Sequence, residues 1–353
     1  MPSPTNLTRR HFTTSLAAAL ALSRHAFAEL PRQSYRFSVF SLFHPQQLTI
    51  QSHSDEPLLL HLNQTSHLIP PTATPTGICI LPGNRVEVTL DGTTIPTDNL
   101  HLTSTSGEAT TFTLAVPPPS LHGTIRRKYQ GTLEVIAASQ SLTPIVTLAT
   151  EIAVASILHA ESPPHAPPSF FEAQAIVSRS FLLAAATGHV GFDFCDTTHC
   201  QFLREPPPQD SPATAATRAT RDLHLTFEGH PFAAMYSRSC GGRTHTLAEL
   251  GLPVASYPYY AVSCPFCSRH PEQWQRQLDS IPRTERERLA LNRIQGWSTL
   301  PSSNFIQTAT LLEGRGIGHG IGLCQLGAAA LATKGLTTRQ ILAHFYPNTT
   351  IAT

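Results

Sequence analysis

His189, Cys195, His199 and Cys200 fall within twelve residues of one another, in the stretch HVGFDFCDTTHC. Thiolates and neutral imidazoles are the usual ligands of zinc, and a structural zinc takes four of them in a tetrahedron. The same two cysteines could instead close a disulfide in an exported protein, where conditions are oxidising. A C-x-x-C pair, Cys264-Pro-Phe-Cys267, could bind metal itself or complete a four-cysteine set. Spacing alone leaves all three readings open.

Three more places carry residues capable of chemistry. Glu161 stands in the last turn of an expected helix, where the negative end of the dipole disfavours a carboxylate. If Phe170, Phe171 and the neighbouring prolines also bury it, it keeps its proton to higher pH, as a general acid at neutral pH must. The competing reading is a solvated glutamate at a helix end. The run Glu313-Gly-Arg-Gly-Ile-Gly-His319-Gly-Ile-Gly-Leu-Cys324-Gln325 has strictly alternating glycines, so it fits neither G-x-G-x-x-G nor the P-loop. Such glycines allow close approach to a ligand or a second strand and leave His319 as the bulky polar group; a β-bulge with a packing histidine is the bland alternative. In Tyr236-Ser-Arg-Ser-Cys240-Gly-Gly-Arg-Thr244 the thiol could be a nucleophile with His245 or His319 as base, or an inert buried cysteine.

The elements that must position these groups are of two kinds. From Tyr35 to about Val146 the apolar period is two, and Val86-Glu87-Val88-Thr89-Leu90 ends in the hairpin signal Asp91-Gly92. Around residue 150 the period becomes helical. Residues 151–161 suit a helix that Pro163-Pro164 must stop. Ser169 with Glu172 makes a capping box for a second helix, with Ala173, Ile176, Val177, Ser180 and Ala184 on one face and Gly188 closing it. A strand is expected at 223–227 and helices near 284–295, 325–334 and 338–346. The last pair superficially resembles a helix-turn-helix, but its second helix carries only Arg339 as fixed positive charge, which argues against groove reading.

Composition narrows the class. The chain has 353 residues, with 24 Lys and Arg against 23 Asp and Glu, so nothing points to nucleic acid. Seven cysteines are too few for a disulfide scaffold at this length. Thr8-Arg9-Arg10-His11-Phe12, an apolar run and Ala26-Phe27-Ala28 together read as a twin-arginine-like signal peptide over residues 1–28. No later apolar run is long enough for a transmembrane segment, so the expected location is the periplasm or cell-wall space. A twin-arginine route exports folded protein, which would let a metal loaded in the cytoplasm survive.

Four blocks occur in order: Glu161 followed by Glu172-Ala-Gln174-Ala-Ile-Val-Ser-Arg179-Ser-Phe; Phe192-Asp-Phe-Cys195-Asp-Thr-Thr-His-Cys200-Gln201; Tyr236-Ser-Arg-Ser239-Cys-Gly-Gly-Arg-Thr244; and Gly316-Ile-Gly-His319-Gly-Ile-Gly-Leu-Cys-Gln325-Leu-Gly-Ala. Together they resemble the SpoIID/LytB family of peptidoglycan lytic transglycosylases and amidase enhancers, over roughly residues 125–350. With the period-two patterning before it, which resembles the family only loosely, the expected fold is α+β: a β-rich N-terminal region over 29–145, then, as the resemblance implies, a mixed SpoIID-like catalytic domain over 146–353 with a glycan cleft.

The same resemblance implies that Glu161 is the catalytic acid/base acting on the MurNAc–GlcNAc bond. It implies a structural zinc on His189, Cys195, His199 and Cys200, and makes Gln174, Arg179, Ser239, Thr244, His319 and Gln325 candidates to bind the glycan. Peptidoglycan strands are the expected partner, with a cell-wall amidase as a second one if the protein is a non-catalytic enhancer. A cysteine peptidase using Cys240 and His319 is the third alternative. Three positions depart from the family's habit: Glu172 where lysine is common, Cys324 for serine and Leu326 for an aromatic residue. Loss of that cation and aromatic platform would weaken sugar binding or change the preferred glycan.

Overall fold

Alternating apolar residues build strands here because one sheet face is buried. In Arg85–Leu90, Val86 and Val88 point into the core while Arg85 and Thr89 face solvent. Asp91 and Gly92 both adopt positive φ, 47° and 79°, as the tight hairpin to Thr93–Thr97 requires. The computed structural model describes residues 33–53, 55–117, 123–278, 280–308 and 311–353. The expected signal peptide lies outside them.

Among the described residues, eleven strands precede the first helix and belong to one twelve-stranded sheet. The sheet curls about its longest strand, Ile125–Ala138, whose first half pairs with Thr110–Val116. Its second half turns to Ser141–Ala149 and Leu100–Ser104. Gly131 stands at the changeover, where a Cβ would lie 2.2 Å from the carbonyl oxygen of Thr147. Any side chain there would prise the sheet open. Ser34–Ser38 pairs antiparallel with Ser141–Ala149 on one side and parallel with the two-residue strand Phe194–Cys195 on the other. The first strand therefore delivers Cys195.

Seven α-helices follow among the described residues: α1 (Thr150–Glu161), α2 (Pro168–Ala184), α3 (Pro212–Ala219), α4 (Pro265–Arg269), α5 (Glu285–Gln295), α6 (Gln325–Thr333) and α7 (Thr338–Phe345). As the proline pair requires, α1 ends with Ser162 already extended. The start of α2 differs from expectation: Pro167 is the cap and Pro168 the first residue, where a missing N–H costs nothing. Ser169 is therefore inside the helix and no capping box forms. Glu172 instead accepts a hydrogen bond from Thr338 Oγ1, which ties α2 to α7. The helix also stops at Ala184, short of Gly188.

Phe170, Ala173, Ile176, Val177 and Leu182 bury α2 in a hydrophobic cluster that also contains Tyr35, Phe37, Leu133, Val146, Val154 and Tyr346. Strands and helices thus share one core. A small second cluster of Trp274, Leu300 and Leu312 lies beneath the strands Gln273–Gln277, Phe305–Thr308 and Leu311–Arg315. The mixed sheets and segregated helices make the fold α+β, with α2 as the element against which α1, α3, α6 and α7 pack.

Candidate functional site

Glu161 is the last residue of α1, and its Oε1 accepts the backbone N–H of Phe202 at 2.6 Å. The Tyr236 hydroxyl and the Gln325 amide lie beside its carboxyl and favour its charged form. Burial dominates these contacts and pushes Glu161 up to about 7, while the Phe202 N–H, Tyr236 and the charge of Arg204 pull it back. At neutral pH the group is therefore divided between acid and carboxylate. Burial, and then the charge of Glu161, hold Tyr236 well above the usual phenol range, so it stays a donor.

A chain of buried polar groups extends from this pair. Tyr236 donates to Gln201 Oε1 at 3.0 Å, and Gln201 Nε2 donates to the Ser178 carbonyl at 3.0 Å. Gln174 Nε2 reaches Ser178 Oγ at 3.3 Å, and Gln325 Nε2 reaches the Glu161 carbonyl at 3.4 Å. His319 Nδ1 accepts from the Ile321 N–H at 3.0 Å, which leaves the proton on Nε2. Its ring bonds the Tyr236 backbone, and burial pushes it down to about 4, so it is neutral at pH 7. Glu161 and His319 thus meet at Tyr236, with Gln325 bonded to Glu161 and Gln174 to Ser178 behind it.

The alternating glycines explain how His319 and Gln325 arrive there. Residues 316–322 lie against the chain at 235–241, joined by pairs between Ser239 and Ile317 and between Tyr236 and Leu323. A Cβ at Gly316 would sit 2.5 Å from the Ser239 oxygen, and one at Gly322 2.0 Å from the Met235 oxygen. The run is built for approach to a second strand.

The remaining glycan candidates are held by protein partners. Arg179, buried, forks onto both oxygens of Glu151 at 2.8 and 2.7 Å and donates to the Leu223 carbonyl. Ser239 is buried with its Oγ 3.6 Å from Cys267 Sγ. Thr244 Oγ1 donates to the Tyr260 carbonyl at 3.0 Å and accepts the Val262 N–H at 2.7 Å.

His189, Cys195, His199 and Cys200 place one ligand atom each within 4.8 Å of all the others. His189 Nε2 is 3.2 Å from Cys200 Sγ, His199 Nδ1 is 3.4 Å from it, and the two sulfurs are 3.5 Å apart. Metal–sulfur bonds of about 2.3 Å and metal–nitrogen bonds of about 2.0 Å put donors of a tetrahedron roughly 3.3–3.8 Å apart, so the set fits a zinc-sized ion. The Cys200 hydrogen bond holds the Cys195 thiol below the usual thiol range, against desolvation. The loop is pinned from outside: Asp196 accepts from the Phe40 and Ser41 N–H groups and pairs with Arg127 at 2.7 Å. A cavity of about 570 Å³ opens beside this group, walled by Leu42, Phe192, His199, Arg293 and Trp297. Glu161 is not on its wall.

The C-x-x-C pair completes a different set from the one at His189. Cys240, Cys264, Cys267 and Cys324, all buried, form a second group with all sulfurs within 4.8 Å of one another, which could also hold a metal. The groups acting on Cys240 are these three thiols, an environment for packing or metal and not for an accessible nucleophile. Sequence reasoning assigned no role to Tyr236 or Gln201, although both lie inside the blocks it singled out. The signal available was adjacency: Gln201 follows a metal-set cysteine, and Tyr236 opens the block of Cys240.

Residues 138–227 match the SpoIID family, described as a stage II sporulation protein. The matched span runs from the end of the long strand through α1, α2 and α3 and contains Glu161 and the His189–Cys200 group. A curated relative, an uncharacterized protein of Brachyspira hyodysenteriae, is 25% identical over 262 residues, which cover 62% of this chain and 71% of the relative. Tyr236, His319 and Gln325 lie beyond the matched domain and join it in space.

Proposed function

We propose that the protein is an exported peptidoglycan lytic transglycosylase with Glu161 as its one acid/base. The observation that carries this is the Glu161 carboxyl, half-buried at a helix end and raised to about 7 by desolvation beside Tyr236 and Gln325. A group so poised gives a proton to the glycosidic oxygen between MurNAc and GlcNAc. As a carboxylate it then takes the proton of the sugar's own 6-hydroxyl as that oxygen closes on the anomeric carbon. No water attacks, so the second carboxylate of a glycoside hydrolase is dispensable. SpoIID membership supports a cell-wall role.

In this reading His319, neutral, and Gln325 orient the sugar, and Gln174 holds the polar chain behind Tyr236. Arg179, Ser239 and Thr244 shape the site without touching glycan. His189, Cys195, His199 and Cys200 hold a structural zinc that fixes the loop leading to Gln201 and Phe202; four protein ligands leave no open position for chemistry. Among the described residues no helix is long and apolar enough to cross a membrane.

The test is mass spectrometry of products released from purified sacculi, intact and amidase-treated, by the wild type and by Glu161→Gln. Anhydro-ended glycans from the wild type alone are expected, with at least a hundredfold loss in the variant. Reducing ends would mean a hydrolase. A folded protein that binds sacculi, cleaves neither substrate and stimulates an amidase would replace the enzyme with an enhancer.

A further inference from the structure

The four buried thiols around Cys267 come from three distant parts of the chain. Cys240 follows the strand Tyr236–Ser237, Cys264 and Cys267 cap and enter α4, and Cys324 caps α6. None is more than 2% exposed. Thiols in redox or nucleophilic service need access for their partner, and these have none. All four are free cysteines, and the Sγ atoms of Cys267 and Cys324 stand 3.5 Å apart, against the ~2.05 Å of a disulfide. Four sulfurs about 2.3 Å from a common centre lie roughly 3.8 Å from each other, close to the spacing observed.

The surroundings are also those of bound thiolates. The Gly327 N–H at the start of α6 points to Cys324 Sγ at 3.4 Å, and the Cys267 N–H bonds Cys264. Donors of this kind offset the charge that four thiolates leave on a divalent ion. Gly327 further makes room: a Cβ there would lie 2.5 Å from Cys264 Sγ. The neighbouring helix residue is thus cut back at the point where the sulfur sits.

We propose that Cys240, Cys264, Cys267 and Cys324 bind a Zn²⁺ ion in a closed, structural tetrathiolate site, separate from the His189–Cys200 group. Four soft sulfurs in a tetrahedron select zinc or iron, and a full set of protein ligands leaves no place for substrate. The ion's work is mechanical. It clamps the segment carrying Tyr236 and the helix beginning with Gln325 onto α4, so the two groups that bond Glu161 are held in register. This assignment does not depend on which reaction Glu161 performs.

The experiment is metal analysis of the purified full chain by native mass spectrometry and zinc X-ray absorption. Two zinc ions per chain are expected, with an average of about three sulfurs and one nitrogen around each. His189→Ala with His199→Ala should keep one zinc, now with four sulfurs. Cys264→Ser with Cys267→Ser should keep the other. Should either variant fail to fold, the wild-type zinc count and mean sulfur number decide alone. One zinc per chain with a mixed shell of sulfur and nitrogen, iron in place of zinc, or an intact mass showing disulfides among these four cysteines would overturn the assignment.

Discussion

At the scale of single residues, the environment of Glu161 has a cost that can be measured without any substrate. Its carboxyl is raised from the usual 4.5 to about 7, because burial disfavours the charge. The folded state therefore binds that proton more tightly than the unfolded chain does. The resulting stability is fully present below about pH 4.5 and is lost as pH rises through 7. Glu161→Gln stays neutral throughout, so it should be more stable than the wild type by up to about 3 kcal/mol at pH 9 and nearly equal to it at pH 4. Urea unfolding at the two pH values reads this directly; an equal gap at both would show that the carboxyl is not held in a desolvating site. The position of Glu161 at a helix end before two prolines was legible in the sequence, but the residues alone left a solvated glutamate as a competing reading. Its partners Tyr236 and Gln201 were not, because their role depends on a hydroxyl and an amide meeting across 35 residues of chain.

At the scale of elements, the turn from strand to helix periodicity near residue 150 could be read, as could the hairpin at Asp91-Gly92 and the helix stop at Pro163-Pro164. The start of α2 could not, since two signals competed there and fixed proline geometry prevailed over the Ser169–Glu172 pairing. The glycine run was ambiguous between a ligand cradle and a strand contact, and only the Met235 carbonyl resolves it. Gly322 has φ of 66° and no room for a methyl group. Gly322→Ala should therefore cost about 2 kcal/mol or more and separate Leu323 from Tyr236. Gly188 has a similar φ, 70°, but open space around it, so Gly188→Ala should cost only about 1 kcal/mol. Chemical denaturation of both variants compares crowding with conformation; equal losses would mean that the close approach contributes nothing.

At the scale of the whole molecule, β-rich and helical parts share one core, and Ser141–Ala149 runs directly into α1. The expectation is a single calorimetric transition with equal calorimetric and van't Hoff enthalpies. A chain beginning at residue 146 should fail to fold, having lost the strand against which Phe194 and Cys195 pair; two resolved transitions, or a folded fragment, would contradict this. Of the long-range thiol group the C-x-x-C pair was legible, but its partners Cys240 and Cys324 were not, because they lie far along the chain on either side, whereas the compact His189–Cys200 spacing announces itself. That spread has a consequence during synthesis. Cys324 is made 57 residues after Cys267, roughly 3–11 s later at ~5–20 residues per second. Through that interval the earlier thiols stand unpartnered on a growing chain, where an oxidant can capture them, and the order of translation becomes a hazard that a reducing compartment must cover.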